Sequence, residues 1–233
     1  MPLTNIVYAL LAGILPAMLW LWFWLKEDNL HPEPRNILAI TFIAGGVSVI
    51  IAIIFEKIAQ DFITDSVYKY VVWAAIEEIV KFSAVAIVAL RSKYMDEPID
   101  AMIYCITVAL GFSALENALF ILSPLNSGQL AASIVTGNLR FIGATLVHVV
   151  SSAFIGFAVG LAFYRGAIVK SFSVIIGVII AVALHTSFNL AIINGTATDT
   201  LKVFGWVWVA TIILIILFEE VKIIRPMPTK NTG

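Results

Sequence analysis

Cysteine is nearly absent from this chain, Cys105 alone in 233 residues, so no internal disulfide holds it together. Charge is scarce too: Asp, Glu, Lys and Arg make up 12% of the residues, against roughly 25% in a soluble globular chain. That leaves too little polar surface to face water, which excludes a soluble enzyme, a disordered chain and a secreted disulfide scaffold. Neither sign dominates, with 14 basic against 15 acidic residues, so there is no basic footprint for nucleic acid. Strand-type alternation, internal repeats and low-complexity segments are missing as well. What abounds is apolar side chain, 61% of the total, gathered in long runs.

Seven runs approach the roughly 20 residues that a helix needs to cross ~30 Å of hydrocarbon: 5–25, 37–55, 70–90, 99–122, 142–164, 172–194 and 203–219. Unpaired backbone cannot face lipid, so these spans are helices. The sequence predicts an all-α, polytopic transmembrane bundle, a single domain over 1–233, with the lipid bilayer of a cell membrane around it. The first run has no basic residue before it and no small-x-small site after it, so it reads as a span and not as a cleaved signal. Segment 126–141, with Gln129, Asn138 and Arg140, reads as an interfacial helix or loop leading into the fifth span. Loop charge sets the orientation. Lys26, Arg35, Arg91, Lys93, Arg165, Lys170, Lys222, Arg225 and Lys230 lie on one side, and Lys57, Lys69, Arg140 and Lys202 on the other. The richer side is cytoplasmic, which puts the N-terminus outside and the C-terminus in the cytoplasm.

Ionisable side chains at membrane depth cost at least ~2.5–3.5 kcal/mol each and invite a functional reading. The third span carries Glu77, Glu78 and Lys81, the fourth Glu116 and Asn117, the fifth His148, the sixth His185 and Asn189. Counting 1.5 Å per residue from the external end of each span puts these groups between about 9 and 13 Å deep. Four helices therefore offer polar groups at one level, in the outer half of the membrane. Glu77 and Lys81 are four apart and expected to stack on one face, while Glu78 points about 100° away and cannot share the role of Glu77. Thr145, His148 and Ser152 lie on a face that continues into Gly156 and Gly160, and His185 and Asn189 on one with Gly177 and Ala181. Small residues beside polar groups are what close helix contact in a membrane needs. A single membrane histidine is ordinarily a hydrogen-bonding partner between helices, and one Glu–Lys pair an ion pair. Three carboxylates and two histidines at one depth exceed what packing requires. Tyr104 and Thr107 read as packing groups, and the tryptophans near span ends as interfacial anchors.

These motifs resemble the PrsW family of intramembrane proteases, in the wider group of the CAAX prenyl endopeptidases. The resemblance is carried by Glu77-Glu78-Ile79-Val80-Lys81, by Phe112 to Glu116-Asn117 with Asp96-Glu97-Pro98-Ile99-Asp100 before it, and by His148 and His185 with Asn189. Pro32-Glu33-Pro34-Arg35 is similar to the family's Glu-Pro-Glu-Pro loop, with His31 in place of its first Glu. The resemblance implies hydrolysis of a peptide bond of a membrane-protein substrate, an anti-sigma factor being the bacterial precedent. A carboxylate in a low-dielectric site binds a proton readily, which suits a general base activating water. Glu77 or Glu78 is the expected base, with Glu116 and His148 sharing the water, His185 and Asn189 donating to the oxyanion, and Lys81 and Asn117 in support. No side chain is placed to act as nucleophile, since Cys105 lies about 16 Å from the level of Glu116 by helical rise.

Glu78, Glu116, His148 and His185 are zinc ligands by type. With no His-Glu-x-x-His pattern, a metal-free site or a weakly held ion is favoured, zinc being the candidate metal. Two other classes compete. One is a non-catalytic scaffold that presents substrate, against which the complete carboxylate–histidine set argues. The other is a proton-coupled transporter, which would show paired halves with broken helices. The oligomeric state is not encoded in any of these features.

Overall fold

Asp100–Asn126 is apolar on every side from Ala101 to Ala114, and a helix without a polar face belongs at the centre of a bundle. The computed structural model, which describes residues 2–27, 31–194 and 196–226, places it there. In chain order the helices are α1 (Leu3–Glu27), α2 (Arg35–Gln60), α3 (Ser66–Val88), α4 (Asp100–Asn126), α5 (Leu130–Leu139), α6 (Thr145–Leu161), α7 (Ala167–Asn194) and α8 (Ala197–Lys222). A single π-helical turn, Arg140–Ala144, joins α5 to α6. No strand occurs among the described residues. Lys230, one of the residues that set the orientation, lies outside them.

α1, α2 and α6 pack directly on α4, α7 and α8 lie against α6, and α3 fits between α2 and α7. Glycine permits the closest of these approaches. A Cβ on Gly45 of α2 would strike the carbonyl oxygen of Val108, and one on Gly111 of α4 would strike that of Phe42. The two backbones therefore touch with no side chain between them. Gly156 and Gly160 likewise bring α6 close to the backbone of Ala101 and Pro98, though less tightly.

Six helices are long and apolar enough to cross a membrane: Leu3–Lys26, Arg35–Gln60, Asp100–Asn126, Leu130–Leu161, Ala167–Ile193 and Asp199–Lys222. The sequence predicts seven. α3 is the difference: at 23 residues it is about 34 Å long, yet Lys69, Glu77, Glu78 and Lys81 make it too charged for a plain apolar span. The start of the fifth span also moves. Instead of beginning at 142, the helix runs from Leu130 through the π turn to Leu161. Arg140 had marked the segment as interfacial, but its side chain turns into the bundle. Two tryptophans depart from the interfacial reading as well. Trp24 is 1% exposed and packs on Phe218 with ring centroids 5.8 Å apart, and the indole nitrogen of Trp20 is buried.

Candidate functional site

Asp65 caps α3, accepting from the backbone N–H groups of Val67 and Tyr68 at 2.8 and 3.0 Å. That fixed start turns Glu77, Glu78 and Lys81 into the bundle, where all three are buried. Measured to the helix ends, Glu77 lies about 17 Å from the start of α3, Glu116 about 15 Å from the end of α4 and His185 about 14 Å from the end of α7. Helical rise thus gives the three side chains similar offsets from those helix ends.

The two adjacent glutamates have separate surroundings. Glu78 is enclosed: its Oε1 accepts from the Lys81 ammonium at 2.5 Å and from His185 Nδ1 at 2.9 Å, and its Oε2 from the Ser152 hydroxyl at 2.9 Å. Lys81 thus pairs with Glu78, three residues away, and not with Glu77 as the four-residue spacing suggests. The ammonium also lies 3.2 Å from a second acceptor, His148 Nδ1. Glu77 Oε2 is buried and has no hydrogen-bond partner. It faces His148 Nδ1 at 3.8 Å and His185 Nε2 at 3.7 Å. The two imidazoles meet edge to face, centroids 4.9 Å apart.

Each histidine gives its other nitrogen to a carboxylate. His185 Nδ1 bonds Glu78, and His148 Nε2 bonds Glu116 Oε2 at 2.9 Å. Lys81 can only donate, so His148 Nδ1 accepts and its ring proton sits on Nε2, toward Glu116. By the same reasoning, a neutral His185 that donates through Nδ1 to Glu78 leaves Nε2 as a lone pair facing Glu77.

Glu116 is tied in turn to Arg140, whose Nη2 donates to Glu116 Oε2 while its Nε donates to Asn117 Oδ1 at 2.5 Å. The Asn117 amide donates to Ser113 at 3.1 Å and Thr145 at 2.9 Å, binding α4 to α6. Sequence reasoning assigned Arg140 to the interface and left Ser152 without a partner. Charge counting was the available signal, since three buried carboxylates against Lys81 alone call for a second cation. The π turn at Arg140–Ala144 adds a residue to the helix two turns before His148, a feature that recurs at functional sites and leaves no mark in the sequence pattern.

A cavity of about 780 Å³ opens over this floor, lined by Glu77, Glu116, His148, His185, Asn189 and Arg140 among others. All of its lining comes from the end of the bundle that holds the α2–α3, α4–α5 and α7–α8 connections. The six residues expected to be catalytic therefore divide: Glu77, Glu116, His148, His185 and Asn189 face one cavity, and Glu78 lies behind the histidines. Cys105 is buried in the core away from it.

The donor set suits a divalent ion. One atom each of Glu77, His148 and His185 falls within 4.8 Å of the others. Ligands around a tetrahedral zinc stand about 3.4 Å apart, close to the 3.7 and 3.8 Å seen here. Metal-bound histidines commonly hold their second nitrogen against a carboxylate, as both do here. The orphaned Glu77 oxygen completes the fit. Glu78 and Glu116, expected as ligands by type, instead occupy the positions that orient the histidines.

The family model described as PrsW family intramembrane metalloprotease matches residues 33–218, which contain every residue of this site. Among similar curated proteins, the Protease PrsW of Geobacillus kaustophilus (strain HTA426) is 28% identical over 152 residues, 64% of this chain and 64% of that protein. That of Clostridioides difficile (strain 630) is 29% identical over 120 residues, 48% of this chain and 50% of that protein. That of Shouchella clausii (strain KSM-K16) is 23% identical over 190 residues, covering 78% and 82%. The chain thus spans less than two thirds of the length of the first two. No solved structure matches it.

Proposed function

The chain belongs to the PrsW family of intramembrane metalloproteases, and from that premise we propose that it is an endopeptidase that hydrolyses a peptide bond of a membrane-protein substrate. One observation carries this reading. A buried carboxylate oxygen without a hydrogen-bond partner faces one nitrogen of each of two histidines, at the floor of a cavity that can hold a peptide segment.

Glu77, His148 and His185 are the residues that would hold an ion. When bound there, it would supply an acidified water and a polarised carbonyl. The chain's own groups supply the rest. Water oxygen bonds to the substrate carbonyl carbon, the carbon–nitrogen bond breaks, and the proton leaving water passes by way of a carboxylate to the departing amine. Glu77 carries that proton where its oxygen is free; with an ion on Glu77, Glu116, beside His148, is the carboxylate nearest the histidines to take it. Glu78 and Glu116 fix the tautomers and tilt of the two rings, and Lys81 balances the charge of Glu78. His185 donates its Nδ1–H to Glu78, so Asn189, one turn on along the same helix and facing the cavity, is the side-chain amide that donates to the developing oxyanion.

A second reading, glutamate catalysis without metal, is favoured by the Lys81–His148 Nδ1 contact at 3.2 Å, which occupies the lone pair a metal would need. Metal analysis of the purified protein, with cleavage of single-pass membrane substrates, separates the two. One zinc per chain, activity lost on chelation and restored by metal, supports the metal reading. Full turnover of metal-free protein supports the other. Normal cleavage by Glu77→Gln overturns both.

α3 is read as a seventh span, its charges neutralised inside the bundle. The excess of basic residues on one side then places the N-terminus outside and the C-terminus in the cytoplasm. In that orientation the cavity's end of the bundle is the external one, so a substrate segment unwound near its external flank reaches the carboxylates with least loss of backbone hydrogen bonds. The cut falls in the outer third of the substrate span or in that flank. Product termini read by mass spectrometry, with cysteine labelling of both chain ends, check this; termini on the cytoplasmic side contradict it.

A further inference from the structure

Three carboxylates line the cavity, Glu56, Glu77 and Glu116, against one cation among the described residues, Arg140. Arg140 is committed to Glu116 and Asn117. Glu77 faces the two histidines. Glu56, on α2, is left over: it is half-buried and has neither hydrogen bond nor ion pair among the described residues. Across the α2–α3 hairpin, Trp73 lines the same cavity with its indole N–H buried and equally without a partner. A half-buried carboxylate and a buried donor, both without partners and lining one cavity from adjacent helices, are costly unless something fills them.

We propose that Glu56 and Trp73 form a substrate subsite in which Glu56 pairs with a lysine or arginine side chain of the substrate's external flank and the Trp73 N–H donates to a neighbouring backbone carbonyl. The assignment rests on the endopeptidase reading for the identity of its ligand. Its location suits the task. Glu56 lies one turn from the end of α2, about 6 Å along the helix, whereas Glu77 lies about 17 Å from the start of α3, so a chain arriving from that end passes Glu56 before reaching Glu77. The external flanks of membrane spans are poor in basic residues. An unpaired carboxylate at that point therefore selects a minority of spans, which pocket shape alone does not do.

The test uses the full-length protein in a neutral detergent free of amine lipids. The probes are three single-span polypeptides that differ at one external-flank position, carrying Lys, Ala or Glu. Wild-type protein is expected to cleave the Lys form about tenfold better in kcat/KM than the Ala form, with the Glu form poorest. Glu56→Lys is expected to invert the order of the Lys and Glu forms, through KM more than kcat. Trp73→Phe keeps the ring and is expected to raise KM several-fold for all three. Fluorescence anisotropy of the same probes with Glu77→Gln protein reads binding without turnover, so it separates this subsite from the proteolytic reading. Absence of cleavage by wild type with Lys-form binding still tightest removes the protease assignment and keeps the cation subsite. Equal affinities for the three probes, or an order that Glu56→Lys leaves unchanged, overturns the subsite. Glu56→Gln, the milder change, is expected to flatten the preference should Glu56→Lys fold poorly.

Discussion

Two clusters of three ionisable groups face opposite ends of this bundle, and their difference lies in what each has left unbonded. At the α1–α2 and α3–α4 turns, Glu33 accepts from the Tyr104 hydroxyl, and Asp100 accepts from the backbone N–H groups of Asp96 and Glu97 at 2.9 and 2.6 Å. His31 adds a contact of 2.9 Å to Glu97. Those bonds pin two loops to the start of α4. At the other end, Glu78 and Glu116 are bonded as completely, but Glu77 keeps a buried oxygen with no partner, beside two histidines and under a cavity. Both clusters could bring three carboxylate or histidine groups onto an ion by distance alone. One cluster gives its carboxylates to backbone and tyrosine donors; the other leaves a buried carboxylate oxygen unbonded beside two histidines.

The largest effects should separate the two ends. Glu77→Gln is expected to lower turnover by about a thousandfold or more while leaving the unfolding midpoint near wild type. Glu33→Gln is expected to keep turnover per folded molecule. Cleavage rates beside thermal melts check both, and equal loss of turnover from the two would erase the distinction. Glu78→Gln should lose activity and stability together, because the amide leaves Lys81 buried against a neutral partner. Unequal residual rates for Glu77→Gln and Glu78→Gln follow from their separate surroundings.

Next in size is the charge balance behind the histidines. Lys81→Met leaves Glu78 buried without its cation and is expected to cost about 3–5 kcal/mol, measured by denaturant titration in detergent. A double variant, Glu78→Gln with Lys81→Met, should recover much of that. Gly111→Ala should cost about 1–3 kcal/mol, because its Cβ meets the Phe42 backbone and the α2–α4 contact must open. Turnover per folded molecule should fall with it, since α2 carries one wall of the cavity.

The smallest effect is a pH dependence at the structural end. Burial raises the pKa of Glu33 above its ordinary 4.5. The folded state therefore holds the proton more firmly than the unfolded chain, and the contribution to stability is present below about pH 4.5 and lost as pH rises through the folded value. The melting temperature of wild type should decline across that window, and Glu33→Gln should flatten the decline.

How much of this was legible in the sequence depends on range. Apolar runs and the lack of charge determine a helical membrane bundle, because lipid admits no other arrangement of backbone at that length. Side-chain levels along the helices could be estimated as well, because helical rise is constant and span direction alternates. Residues of four helices could thus be placed at one level before any contact was known. Partner choice was not. Lys81 bonds Glu78 and also meets His148, 67 residues away, and Arg140 turns inward to Glu116 on another helix, where a π turn re-aims the chain. Nor could spacing tell Glu77 from Glu78, which differ by one position and about 100° of rotation. Only the packing of α6 and α7 against α3 makes one an enclosed anchor and the other an open-handed acceptor, since a hydrogen bond requires both partners within about 3 Å and that distance is set between helices, not along them.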